Sequence, residues 1–143
     1  MKDKLSYGYT SDVIIFAIES KNDENIRTLP NKYLSILLVK REKEPFKNKW
    51  CLPGGFIEKN ETSKEASKRI LKKETNLSNI YLTHIDTFDS INRDPRGRII
   101  SNGSMALIDK DKLTSSIKEN SKWFEITINE EKEIIKILLT NNL

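Results

Sequence analysis

Apolar residues fall along this chain in two spacings, and each spacing predicts a different element. Asp12 to Glu19 (DVIIFAIE) and Tyr33 to Arg41 (YLSILLVKR) are short aliphatic runs rich in β-branched residues, which predicts two buried strands. Ser63 to Thr75 reads instead as one amphipathic helix. Its start is marked by Thr62 and Glu65, three apart, the spacing at which a hydroxyl and a carboxylate satisfy each other's orphan amides. Its end is marked by Asn76, a residue suited to the left-handed position after a helix. Ile80 to Ser90 alternates as a strand, followed by a polar turn at Asp94-Pro95-Arg96-Gly97 and a returning strand to Ile108, which together predict a hairpin. Lys122 to Thr127 is a further short strand. Trp123 and Phe124 are core candidates there, with closure over an adenine as the alternative. In Glu130 to Thr140, Ile134, Ile135, Leu138 and Leu139 stand at i, i+1, i+4 and i+5, which favours an amphipathic C-terminal helix. The richness in Ile keeps a final strand as the alternative. Residues 1–10 read as a loosely held lead-in, and Ser20 to Asn31, Glu42 to Lys49 and Asp109 to Asn120 as loops, the last with a helical turn.

Composition narrows the class. A length of 143 residues with 36% hydrophobic and 32% charged residues places the chain among globular domains with a real core and predicts one domain over 1–143. No apolar run approaches a membrane span, so no membrane partner is expected. Cys51 and His84 each stand alone, which excludes an internal disulfide and a Cys/His zinc centre and fits a reducing cytoplasm. The net charge of +4 comes from lysines scattered among Asp and Glu, the pattern of a solvated surface, and no nucleic-acid partner is expected through this domain alone.

The candidate chemistry is concentrated between Trp50 and Leu77 (WCLPGGFIEKNETSKEASKRILKKETNL). A Pro53-Gly54-Gly55 turn leads through a short loop to Glu61 and then into the helix. A glycine turn before a helix lets backbone groups approach a phosphate or a metal. On that pattern alone, a structural turn before a surface helix is the favoured reading. The spacing adds more. Gly55, Glu61 and Arg69, continued by Leu71, Glu74 and Leu77, fit the Nudix box G-x5-E-x7-R-E-U-x-E-E-x-G-U, with LPGGF ahead of it. The segment therefore resembles the Nudix family, and the likeness extends over nearly the whole chain. The RDPRGR segment, with Arg93, Arg96 and Arg98, is similar to a loop in the subgroup that includes ADP-ribose pyrophosphatases and Nudix-related transcriptional regulators.

The resemblance implies an α/β (α+β) Nudix fold, a mixed sheet sandwiched between helices. It also implies a Mg²⁺- or Mn²⁺-dependent pyrophosphohydrolase acting on a nucleoside diphosphate linked to another moiety, such as ADP-ribose. Carried over by position, Glu74 and Glu61 are the expected catalytic residues, and Glu74, Gly54 and Glu58 the expected metal ligands. Arg41, Arg69, Lys73, Arg93 and Arg96 are the expected contacts to a nucleotide-sugar ligand. For Arg41 a plain strand-end surface role has equal weight. The general base is unassigned, with Glu119 and Asp94 as candidates from outside the box.

The departures from the box set a second expectation. Ile70 stands where the family has Glu, Lys73 where it has the first Glu of a pair, and Asn76 where it has Gly. Positions 70, 73 and 74 share one helix face, so of three metal-gathering carboxylates only Glu74 is kept. Hard divalent cations want several oxygen ligands. Hydrolysis is therefore expected to be weakened or lost, and the alternative is a module that senses a nucleotide such as ADP-ribose without cleaving it. Subgroup members are often homodimers, and in the regulators a winged-helix domain follows. Nothing here resembles one, which leaves a stand-alone domain or the N-terminal part of a longer regulator.

Overall fold

In the computed structural model, the residues described are 7–21, 27, 29, 31–128 and 134–137. The frame is a mixed sheet. Its strands are β1 (Gly8–Lys21), β2 (Asn31–Lys40), β3 (Trp50–Cys51), β4 (Gly54–Phe56), β5 (Thr83–Phe88), β6 (Ile99–Asp109), β7 (Ser121–Ile128) and β8 (Ile134–Ile137). The order across the sheet is β5-β6-β1-β2-β7-β8, with β3 attached to β2 and β4 to β1. β1 pairs parallel with β6 and antiparallel with β2 and β4, so it is tied on both sides along its length.

The central strands are apolar on both faces, as the unbroken aliphatic runs require. Val13 and Ile15 from β1 and Leu37 from β2 lie under the helix α1 (Ser63–Thr75), where they meet Leu71, Leu77 and Leu82. Ile36 and Leu38 point to the other face and pack with Phe124 and Ile126. Trp50 closes that second layer, its ring edge-on to Phe124 at 5.0 Å. Phe124 is thus a core residue, and Trp123 lies partly buried against the first layer.

The helix ends where its capping residues place them. The Thr62 hydroxyl accepts the Glu65 amide at 3.2 Å, and the Glu65 carboxylate accepts the Thr62 amide at 2.8 Å. Asn76 takes φ 69°, the left-handed conformation, and its amide bonds to Lys72 O. Ala66, Ser67, Ile70, Leu71 and Thr75 are buried. A Leu buried as fully as Leu71 contributes on the order of 1.5–3 kcal/mol. The Ser67 hydroxyl lies 2.5 Å from that of Ser11, which fixes the helix to β1.

The hairpin forms at its expected turn: β5 and β6 pair antiparallel around it, and Gly97 takes φ 142°. The segment after β6 contains a 3-10 turn at Lys110–Lys112. Two boundaries shift. Residues 8–10, expected in a loose lead-in, belong to β1. Ile134–Ile137, favoured as helical, form β8 antiparallel to β7, while the rest of that segment lies outside the described residues. β-Branched Ile suits a strand that can add to the edge of β7, and that partner is invisible to local periodicity.

Candidate functional site

The site is assembled around Gly54, and β1 positions it. Asp12 and Gly54 are opposite each other in the β1–β4 ladder. The Val13 amide donates to Pro53 O at 2.8 Å and the Ile57 amide to Tyr9 O at 2.9 Å, so the segment is fastened at both ends. Of the turn expected at Pro53-Gly54-Gly55 only a bend at Pro53 forms, because Gly54 and Gly55 pair with β1 as part of β4. A Cβ on Gly54 would lie 2.1 Å from Asp12 Oδ1, so any side chain there would force the Asp12 carboxylate out of its place. At Gly55 the helix comes close: a Cβ would sit 3.5 Å from Ile70 Cδ1.

Glu74 reaches the turn from α1. Its Oε2 accepts the Gly54 amide at 3.3 Å. Burial pushes its carboxyl above the ordinary carboxylate range, against the pull of the Gly54 amide, Lys73 and Arg41, while Asp12 adds to the rise. Asp12, on β1, is the second carboxylate of the site. It also accepts hydrogen bonds from Ser101 and, at 3.5 Å, from the Thr10 hydroxyl. Sequence reasoning missed Asp12. The signal was a carboxylate at the head of an otherwise apolar strand.

Two cavities meet here and share Arg41 and Gly54. The larger, about 470 Å³, holds Arg41, Lys73, Glu74, Gly54 and Arg96 together. The smaller, about 320 Å³, holds Arg41, Arg93 and Asp12 with Phe88, Ile14 and Leu52. Arg41 is oriented by a 2.7 Å hydrogen bond from Nε to Pro45 O. Lys73 is exposed on the rim, and the Lys118 ammonium donates to its carbonyl. Arg96 pairs twice with Asp94, at 3.0 and 2.8 Å, and lies over the Phe56 ring at 5.2 Å. That pairing holds the Asp94 carboxyl down at about 2. Arg93 donates to Ile99 O at 3.2 Å.

Glu61 and Arg69 are brought to each other. Arg69 donates to Glu61 through Nε at 2.9 Å and Nη2 at 2.6 Å, and to Phe56 O at 3.0 Å. The Glu58 amide donates to Glu61 at 2.8 Å, and the exposed Glu58 carboxylate stands 3.6 Å from Arg69. Neither Glu58 nor Glu61 lines the two cavities around Gly54, and Glu119 does not line them either.

These positions test the expected metal. Among the described residues, no three His, Cys, Asp or Glu side chains converge. Glu74 accepts a backbone amide and shares its cavity with Arg41 and Lys73. Position 70 supplies no oxygen: Ile70 is 2% exposed and packs beside Gly55. A donor set of this kind does not fit a divalent cation held by the protein alone. What it offers is fixed positive charge around a glycine turn, an arrangement suited to phosphate oxygens.

The comparisons agree with this architecture. An ADP-ribose pyrophosphatase of Methanocaldococcus jannaschii is 47% identical over 66 residues, which cover 46% of this chain and 39% of that protein. The ADPR responsive transcriptional repressor NtrR of Acinetobacter baylyi is 30% identical over 118 residues, covering 80% of this chain and 43% of the repressor. The chain thus spans less than half the length of either curated relative. The NUDIX domain of Shewanella oneidensis NrtR, solved in complex with ADP ribose, superposes with a TM-score of 0.65 at 27% identity, covering 85% of this chain and 75% of that one. No helix among the described residues is long and apolar enough to cross a membrane. The NUDIX domain model matches residues 11–135, nearly the full extent of the sheet and helix described above, and the chain belongs to the Nudix family.

Proposed function

We propose that this domain binds a nucleoside diphosphate linked to a second moiety, of the ADP-ribose type, and holds it mainly with fixed cations, hydrolysis being weak or lost. The observation that carries this reading is the lining of the larger cavity, where Arg41 and Lys73 flank a single box carboxylate, Glu74, already bonded to the Gly54 amide. A guanidinium and an ammonium neutralise a diphosphate without a metal. They stabilise the bound ground state and activate no water, so such a site binds without accelerating cleavage. In this reading Arg69 and Glu61 hold the loop that precedes the helix, and Arg93 and Arg96 complete the positive rim. A sensing role, as part of a larger regulator, is consistent with the ADPR responsive repressor among the relatives and with the ADP ribose held by the NrtR domain.

A second reading is a Mg²⁺- or Mn²⁺-dependent pyrophosphohydrolase. It is favoured by the 47% identity to a pyrophosphatase across 66 residues and by Asp12, a second carboxylate beside Gly54. Calorimetry with ADP-ribose in the presence of EDTA, run beside an assay for AMP release with Mg²⁺ or Mn²⁺, separates the two. Saturable binding in EDTA with no AMP release is expected. AMP release that is lost in Glu74→Gln would establish the enzyme instead.

A further inference from the structure

The two cavities that share Arg41 and Gly54 differ in chemistry, and that difference gives the ligand a direction. The larger is lined by Lys40, Arg41, Lys43, Lys73, Arg96 and Lys118, against Glu42 and Glu74. The smaller carries an aromatic wall, Phe88, and an aliphatic side formed by Ile14 and Leu52. Resting on the function proposed above, we infer that the smaller cavity is the base subsite: a planar nucleobase lies against Phe88, the diphosphate crosses Arg41 and Gly54, and the second moiety occupies the cationic cleft.

The local backbone prepares Phe88 for this. It is the last residue of β5 and pairs with Ser101 on β6. Two residues along β6 is Gly103, where a Cβ would come within 2.8 Å of Phe88 Cε2. The missing side chain lets the edge of the ring lie down on the strand. The ring nevertheless remains 47% exposed, an open aromatic surface beside a cavity. What sets Phe88 apart from other exposed aromatics such as Phe46 and Tyr81 is its place on the wall of the cavity that holds Asp12, Arg41 and Arg93, where a base can stack on it. Anionic groups are drawn the other way, since the net positive charge lies beyond Arg41. In the smaller cavity, Asp12 opposes the positive charge of Arg41 and Arg93.

The test compares ADP-ribose, AMP and ribose 5-phosphate on the intact chain. ADP-ribose is titrated directly, and the other two by competition against it, so that weak ligands are also read. Phe88→Ala is expected to weaken ADP-ribose and AMP about ten-fold, the effect of losing one stacking surface, and to leave ribose 5-phosphate unchanged. Phe88→Trp should keep the affinity. Gly103→Ala, which pushes the ring off the strand, should reproduce the loss while keeping the phenyl group. Equal effects on all three ligands, or none, would overturn the assignment. So would a base-selective loss in Phe56→Ala, which would put the base in the cationic cleft. Either result leaves the proposed function standing, whereas failure of the unaltered chain to bind ADP-ribose removes both.

Discussion

Arg69 and Glu61 meet through two parallel hydrogen bonds, at 2.9 and 2.6 Å, and this pair holds the Ile57–Glu61 loop against α1. The Arg69 hydrogen bonds, helped by the Glu58 amide, bring the Glu61 carboxyl from its ordinary 4.5 down to about 2. A folded pKa below the unfolded one gives stability that is complete above pH 4.5 and lost as the pH falls toward 2. Glu61→Gln should therefore melt below the wild type at neutral pH, and the gap should close between pH 4.5 and 2. Thermal unfolding of both proteins across that range checks it. A gap independent of pH would show that the pair contributes by shape alone.

Glu74 has the opposite sign. Burial raises its carboxyl, so in the folded state the ionised form is penalised above that raised pKa, and the penalty fades as the pH drops and both states become protonated. Glu74→Gln keeps an oxygen for the Gly54 amide and removes the charge. The variant should melt higher than the wild type at pH 7 and converge with it in acid. Its affinity for ADP-ribose in EDTA should also rise, because one negative charge leaves the vicinity of the diphosphate. A fall in metal-free affinity would contradict the cationic reading of the site.

Restoring the box carboxylates puts one of them into a packed position. Ile70 is 2% exposed, so Ile70→Glu places a carboxylate where an aliphatic side chain is packed. Ile70→Glu combined with Lys73→Glu should cost roughly 2–5 kcal/mol of stability without metal, a loss typical of disrupted core packing. Mn²⁺ or Mg²⁺ should recover part of it. The measurement is melting temperature against metal concentration: the double variant should shift upward and the wild type should respond far less. Identical responses would mean that this helix face does not govern metal affinity.

The helix cap offers a control remote from both cavities. Thr62→Ala removes the hydroxyl that accepts the Glu65 amide and should cost about 1 kcal/mol. In a domain of this size that is a melting shift of about 3 °C. ADP-ribose affinity should be unchanged. A comparable loss of affinity would show that the helix start and the ligand site are energetically coupled.

The parts of the fold readable from the sequence were those governed by local chemistry. Thr62, Glu65 and Asn76 mark the helix ends because capping is a matter of three or four neighbouring residues. Gly97 marks the hairpin because a positive φ selects its residue type locally. Ile134–Ile137 went the other way because the deciding partner, β7, is a tertiary contact. Asp12 was overlooked for a related reason: it stands some forty residues before Gly54 in sequence, and only strand pairing makes them neighbours. The equivalence assumed for positions 70, 73 and 74 was likewise too coarse. Helical spacing gives a direction but not a depth, and in the structure Ile70 is buried, Glu74 half-buried and Lys73 exposed.

The fastening of the Pro53–Gly55 turn to β1 separates two properties that could have been bound together. The Val13–Pro53 and Ile57–Tyr9 hydrogen bonds run from backbone to backbone, so the path of this segment is set mainly by the sheet, with the bond from the Gly54 amide to Glu74 added from the helix. Exchanging the charge at the exposed Lys73 rewrites what the segment can hold while leaving those backbone bonds in place. A scaffold wired this way can pass from cutting a ligand to merely reporting its presence, or back again, without having to learn to fold anew.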